Sequence, residues 1–169
     1  MFMVGEQQAA RDWSAMQMRQ HPENGFVFSG AGVAAYLRGD AAEGVALLEK
    51  GVELSGRAPL ALLLLAQGYG YAGQKEKVLP LLEEAERTNA YMCPYEAAVA
   101  HLTLGDEVNK ARAVELMFEA VEERSNCLDF LAVDPRLRVL RDDPRYAARF
   151  QELLTLVGLD EAAVKSYRR

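Results

Sequence analysis

The chain has little of what marks disulfide-rich or metal-binding proteins. It contains two cysteines and two histidines among 169 residues. Cys93 and Cys127 are too few for a disulfide framework and fall in different predicted units, which indicates reduced thiols in a cytoplasmic protein. His21 and His101 lie 80 residues apart, and neither has a partner at the HxxxH spacing. We therefore expect no metal site and no catalytic histidine pair.

Long apolar runs are also scarce. No stretch reaches the roughly 18 apolar residues of a membrane span, and the longest run, residues 59–66, fits a buried helix. Residues 1–4 are too short for a signal peptide and lack a basic flank. We expect no membrane partner.

Positive charge is not in excess, because the net charge is −6. A nucleic-acid backbone would be repelled by most of such a surface, so no nucleic-acid partner is expected. A local group of arginines is predicted to cover a small core with the aliphatic parts of the side chains and to pair with nearby aspartates. These are Arg136, Arg138, Arg141, Arg145 and Arg149.

Residue patterns of catalytic or cofactor sites are lacking as well. The adjacent pairs Glu83-Glu84 and Glu122-Glu123 lie on predicted helices, where neighbouring side chains point about 100° apart and cannot act as one acid–base pair. The segment GYGYAG (68–73) lacks the Lys-Ser/Thr that follows a phosphate loop. The sequence predicts a protein that is not an enzyme and binds no cofactor or metal.

The chain does contain glycines at a regular spacing. Gly5, Gly39 and Gly73 stand 34 residues apart, and Gly105 follows 32 residues later. A 34-residue period is typical of stacked helix-turn-helix repeats. Each glycine suits the left-handed turn that ends a helix.

Residues around the glycines repeat with them. A large, a small and a large residue lie 11 and 7 residues before and 9 residues after the glycine in two consecutive units, a pattern that lets paired helices approach closely. They are Phe28, Gly32 and Leu48 in the first unit and Leu62, Ala66 and Leu82 in the second. Tyr69 and Ala85 extend the second unit, and Ala113, Met117 and Ala120 occupy the small, bulky and small positions of the third.

This pattern resembles the tetratricopeptide repeat family. The resemblance implies an all-α fold of antiparallel helix-turn-helix repeats stacked as a right-handed solenoid. It divides residues 1–124 into a partial repeat (1–22) and repeats at about 25–57, 58–91 and 92–124. Helices are predicted at 6–20, 25–38, 41–55, 58–72, 75–89, 93–104 and 107–124.

Residues 125–169 are predicted to form a helical cap. Asp134-Pro135 and Asp143-Pro144 are helix-start signals. The second should open a helix to about residue 157 that ends at Gly158, and a short helix is expected at 160–167. The stretch 123–159 is similar to the closing segment of bacterial tetratricopeptide proteins whose repeats follow a regulatory domain. That resemblance suggests a C-terminal module of a longer bacterial protein.

The same resemblance places a binding groove on the first helix of each repeat. Its residues would be Ser29, Val33, Tyr36, Leu37, Leu63, Gln67, Gly70, Tyr71, Tyr95, Val99 and Leu102. None carries the Lys, Arg or Asn with which one subclass grips a C-terminal carboxylate. Tyrosines and aliphatic residues favour an apolar segment instead.

The predicted function is a non-catalytic scaffold that binds a protein or peptide. Two alternatives remain open. The groove could build a homodimer or be filled by the chain's own C-terminal helix, or a pocket near Tyr71, Tyr95 and His101 could serve an enzyme or a small-molecule sensor.

Overall fold

The computed structural model describes residues 7–88 and 90–159, which form helices and turns without a β-strand. The all-α prediction is confirmed for this part of the chain. The helices are α1 (Gln7–Gln20), α2 (Gly25–Leu37), α3 (Ala41–Leu54), α4 (Pro59–Tyr71), α5 (Val78–Arg87), α6 (Pro94–Leu104), α7 (Glu107–Glu122), α8 (Arg138–Arg141) and α9 (Pro144–Leu156). Short 3₁₀ turns occupy Lys75–Lys77, Asn126–Phe130 and Pro135–Leu137. The helix predicted at 160–167 lies outside the described residues, as does residue 6.

Helix ends follow the predicted signals. Asn24 and Asp106 accept hydrogen bonds from the backbone N–H groups of Phe26 and Asn109, each at 3.0 Å, and so cap α2 and α7. After α2, α4 and α6 the chain turns through glycines with φ of 97°, 77° and 81°. These are the repeat glycines Gly39, Gly73 and Gly105, so the left-handed turns predicted from the period are confirmed.

The chain divides into two compact units, Met1–Met92 and Cys93–Arg169. In the first unit α2 packs against α1, α3 and α4, and α4 also packs against α5. In the second unit α6 packs against α7, and α9 packs against α7 and α8. The predicted start of the cap at residue 125 lies inside the second unit.

Helices α2 and α3 run antiparallel and are in close contact where glycines of the two helices face each other. A Cβ added to Gly32 would lie 2.6 Å from Leu48 Cγ and 2.8 Å from the carbonyl oxygen of Gly44. At the other end of the pair, a Cβ on Gly25 would lie 2.6 Å from the carbonyl oxygen of Gly51. Backbone therefore packs on backbone, which explains why small residues recur at these positions of the repeat.

Two glycines of α2 give a matched test of this contact. Gly32→Ala is expected to destabilise the protein by about 1–3 kcal/mol, because the new methyl group forces the helices apart. Gly30→Ala, two residues earlier, meets nothing within 4 Å and should stabilise by about 0.5–1 kcal/mol through helix propensity. Urea unfolding followed by the emission of Trp13 on α1, the chain's single tryptophan, measures both. Equal effects of the two substitutions would contradict the close packing.

The second unit is held by a buried polar cluster built on the first Asp-Pro-Arg sequence. The Tyr95 hydroxyl of α6 donates to Asp134 Oδ2 at 2.7 Å. Arg136 donates from Nη2 to Asp134 Oδ2 at 2.7 Å and from Nη1 to Glu96 Oε2 at 2.8 Å. Burial alone would raise the pKa of Asp134, but the hydrogen bonds and charge of Arg136 outweigh it and hold that pKa below its usual value. The cluster therefore joins the segment after α7 to the start of α6.

The second Asp-Pro-Arg sequence repeats the local geometry at the surface. Asp143 caps α9 by accepting from the backbone N–H of Arg145 at 3.1 Å, and the Arg145 side chain donates to the same carboxylate. Arg141 donates to the carbonyl of Ala132 and lies over the Phe150 ring. The predicted pairing with aspartates is confirmed for Arg136 and Arg145, and the predicted covering of the core is confirmed for Arg141, which lies over the buried Phe150 ring.

Candidate functional site

Most of the predicted groove residues are buried within their own unit. Gln67, Leu63 and Tyr95 have relative exposures of 0–1%. Eight of the eleven are buried: Ser29, Tyr36, Leu63, Gln67, Gly70, Tyr95, Val99 and Leu102. They cannot be reached by a partner in this structure, and the prediction is corrected accordingly. Val33 is half-buried, and Leu37 and Tyr71 are exposed.

The buried tyrosines have partners inside the fold. Tyr36 donates to Gln67 Oε1 at 2.8 Å, and its ring stacks on Tyr71 with centroids 4.5 Å apart and planes 12° apart. Tyr95 donates to Asp134, and burial, followed by the Asp134 charge, raises the pKa of its hydroxyl far above the usual value. His101 Nδ1 lies 2.7 Å from Asn109 Oδ1. Tyr36, Tyr95 and His101 thus have hydrogen-bond partners within the fold, and Tyr71 alone among the tyrosines just named presents an exposed ring.

The open face of α2 differs from the predicted one. Phe26, Gly30, Val33 and Leu37 follow one another at spacings of four, three and four residues, which places them on one side of the helix. Phe26 is 51% exposed and Leu37 is 37% exposed. We call these four residues the α2 stripe. It keeps Val33 and Leu37 of the prediction and replaces Ser29 and Tyr36, which face α3 and α4, by Phe26 and Gly30.

A pocket of about 240 Å³ adjoins the stripe between α1 and α2. Trp13 and Phe26 line it, and both are about half exposed, at 48% and 51%. Its other lining residues are Ser14, Gln17, Val27, Gly30 and Ala31. None of the described residues that line this pocket is charged, so it suits an apolar group.

Sequence reasoning missed Trp13 and Phe26, although each left a signal. Helix α2 contains no charged residue, so it has more apolar surface than its neighbours can cover. Trp13 is the single aromatic residue of the largely polar helix α1. An aromatic residue on a polar helix next to a helix without charges indicates a shared surface.

A second pocket, of about 210 Å³, lies among α1, α2 and α3. It contains Arg38, whose side chain is 7% exposed and whose Nε and Nη1 have no hydrogen-bond partner in the described part of the chain. Asp40 and Glu43 carboxylate oxygens lie 3.8 Å and 3.5 Å from its guanidinium nitrogens. Two carboxylates so near oppose the entry of an anion, so this pocket does not form an anion site.

Residues 7–88 and 90–159 contain no group of three or more His, Cys, Asp or Glu side chains that could hold a metal ion. No helix in this part of the chain has the length and apolarity needed to cross a membrane.

No family model, curated protein or solved structure matches this chain. The resemblance to tetratricopeptide repeats thus stays a prediction that depends on the residues quoted above.

Proposed function

We propose that the first unit is a non-catalytic interaction module that binds an amphipathic segment of another protein along the α2 stripe. The observation that carries this proposal is the exposure of Trp13, Phe26, Leu37 and Tyr71, each between 37% and 51%. Trp13 and Phe26 adjoin one another at the pocket between α1 and α2, and contiguous exposed apolar side chains mark interaction sites.

The shape and charge of the surface favour a helical partner. The stripe runs the length of α2 without a charged residue, and the pocket beside Trp13 accepts one bulky apolar group. A partner helix with apolar residues at i, i+3 or i+4, and i+7 would follow the stripe and place one such group in the pocket. Trp and Tyr are the residues that most often supply the binding energy of such contacts.

The proposed occupant is tested by selecting short peptides from a displayed random library against the whole chain. We expect enriched peptides to carry aromatic or aliphatic residues at helical spacing. Phe26→Asp should weaken their binding at least about 30-fold, since truncating or charging an anchor typically costs 2 kcal/mol or more.

Leu79→Asp is the matched control. Leu79 is also an exposed apolar residue, at 44%, but it lies on α5. Its substitution should leave peptide binding unchanged. If both variants lose binding equally, or if the selection yields no helical pattern, the proposal is wrong. Concentration-dependent dimerisation that Phe26→Asp abolishes would instead identify a second copy as the occupant.

The wider role is proposed from the resemblance alone. Similarity of residues 123–159 to the closing segment of bacterial regulatory proteins supports a place for the module in signal-dependent regulation. The Asp-Pro-Arg geometry at Asp134 and Asp143 gives this segment a structural role in the second unit. Proteins encoded beside or fused to this chain would test that assignment.

A further inference from the structure

The two cysteines of the chain lie side by side in the second unit. Their Sγ atoms are 2.9 Å apart, although the residues are 34 positions apart in the sequence. Both are free thiols. Cys93 is buried at the start of α6, and Cys127 is half-buried in the 3₁₀ turn Asn126–Phe130. The predicted boundaries assign Cys93 to a repeat and Cys127 to the cap, and the structure places both in one compact unit.

We propose that Cys93 and Cys127 form a reversible intramolecular disulfide when the protein meets hydrogen peroxide or a small-molecule disulfide. A disulfide bond is about 2.05 Å long, so the sulfurs need to approach by less than about 1 Å. The chain contains no third cysteine that could compete.

Exposure sets the order of the two steps. Cys127 is the more accessible thiol, so peroxide oxidises it to a sulfenic acid, and one water is released. Cys93 Sγ then attacks the Cys127 sulfur, the S–O bond breaks, and the thiol proton of Cys93 leaves with the oxygen as a second water. In sum, two thiols and one peroxide give one disulfide and two waters. A small disulfide would act through a mixed disulfide at Cys127, and two reduced small thiols would leave.

The surroundings hold the two thiols in these roles. Ser125 Oγ accepts from the backbone N–H of Cys127 at 3.3 Å, which fixes the turn that carries Cys127 beside α6. Burial, followed by the hydrogen bond to Cys127, raises the pKa of Cys93 to about 12. Cys93 therefore stays protonated and shielded until Cys127 has reacted.

The disulfide would close a loop that includes all of α6 and α7. It would fix the turn after α7 to the start of α6, next to the contact between Tyr95 and Asp134. Oxidation should then stabilise the second unit, because a closed loop of this length removes conformational freedom from the unfolded chain.

The test is oxidation of the full chain by hydrogen peroxide or oxidised glutathione, followed by intact mass and peptide mapping. We expect loss of two hydrogen atoms, loss of both titratable thiols and a Cys93–Cys127 cross-linked peptide in monomeric protein. The melting temperature should rise by roughly 5–10 °C, and reductant should reverse both changes. In glutathione buffers, the equilibrium constant for disulfide formation should be on the order of 100-fold larger for the native chain than for the chain unfolded in urea.

Cys127→Ser identifies the thiol that reacts first. This variant should keep its Cys93 thiol under the same oxidant, because Cys93 is shielded. A stable glutathione adduct at Cys127, disulfide-linked dimers in place of the intramolecular bond, or equal disulfide formation in native and urea-unfolded chains would each overturn the proposal. The adduct, dimer and urea measurements use the wild-type chain, so they do not depend on how well Cys127→Ser folds.

Discussion

Ala66→Arg is expected to unfold the first unit. Ala66 has no exposed surface and lies in the middle of α4, where α4 packs against α2, α3 and α5. A guanidinium group there would be buried without a partner or would separate the helices. Either outcome costs more than about 4 kcal/mol, a large share of the stability of a small unit.

Urea unfolding followed by Trp13 emission and by circular dichroism measures this loss. Glu83→Arg is the matched control, because it places the same side chain on the exposed face of α5 and should change stability by no more than about 0.5 kcal/mol. Its neighbour Glu84 is less suitable, since both of its carboxylate oxygens accept hydrogen bonds from Arg57. Similar losses in Ala66→Arg and Glu83→Arg would show that the repeat frame is misplaced.

Asp134→Ala is expected to destabilise the second unit by about 3–5 kcal/mol. Asp134 is 3% exposed and accepts from Tyr95, from the Arg136 side chain and from the Arg136 backbone. Its removal leaves the Tyr95 hydroxyl buried without this acceptor and Arg136 with one carboxylate in place of two. Breaking a buried ion pair from one side typically costs this much.

Asp143→Ala removes the aspartate of the second Asp-Pro-Arg sequence and should cost clearly less. Its partner Arg145 is 60% exposed, so water replaces the lost contact. Thermal unfolding followed by circular dichroism compares the two variants. If they lose the same stability, the buried cluster does not hold the unit together.

The stabilisation that the Asp134 carboxylate provides should depend on pH. The pKa of Asp134 is lower in the folded protein than in the unfolded chain, where aspartate titrates near about 3.9. Protonation therefore favours the unfolded chain. The stabilisation is complete above that pH and is lost as the pH falls through the folded-state pKa. The stability difference between wild type and Asp134→Asn should shrink accordingly below about pH 4, and a constant difference would assign the stabilisation to other groups.

The helices could be predicted from the sequence because their end signals are local. Asn24, Asp106 and Asp143 cap helices through side chains that reach two or three residues along the chain. Gly39 and Gly73 take positive φ values where the 34-residue period placed helix ends. Such signals need no knowledge of distant contacts.

The exposed faces could not be predicted in the same way. Helices α2 and α4 contain no charged residue, so no polar side marks which residues face water. Spacing alone does not distinguish Ser29, which is buried, from Phe26, which is exposed. The packing of α1, α3 and α4 against α2 decides which of its residues stay exposed and form the α2 stripe.

The cysteine pair could not be predicted for a different reason. Residues 125–134 lack helical periodicity and form one 3₁₀ segment followed by a turn. The path of such a segment depends on tertiary contacts such as those of Tyr95 with Asp134. The 34-residue separation of Cys93 and Cys127 equals the spacing of the repeat glycines, but a spacing alone does not show that two thiols are in contact.

The central claim is that the α2 stripe and the pocket beside Trp13 bind an apolar segment. Emission from Trp13, which no second tryptophan obscures, measures this directly when a selected peptide is added. We expect a shift to shorter wavelength and reduced quenching by acrylamide in wild type and Leu79→Asp, but not in Phe26→Asp. Peptide binding that leaves the Trp13 spectrum unchanged, or that Phe26→Asp does not weaken, would contradict it.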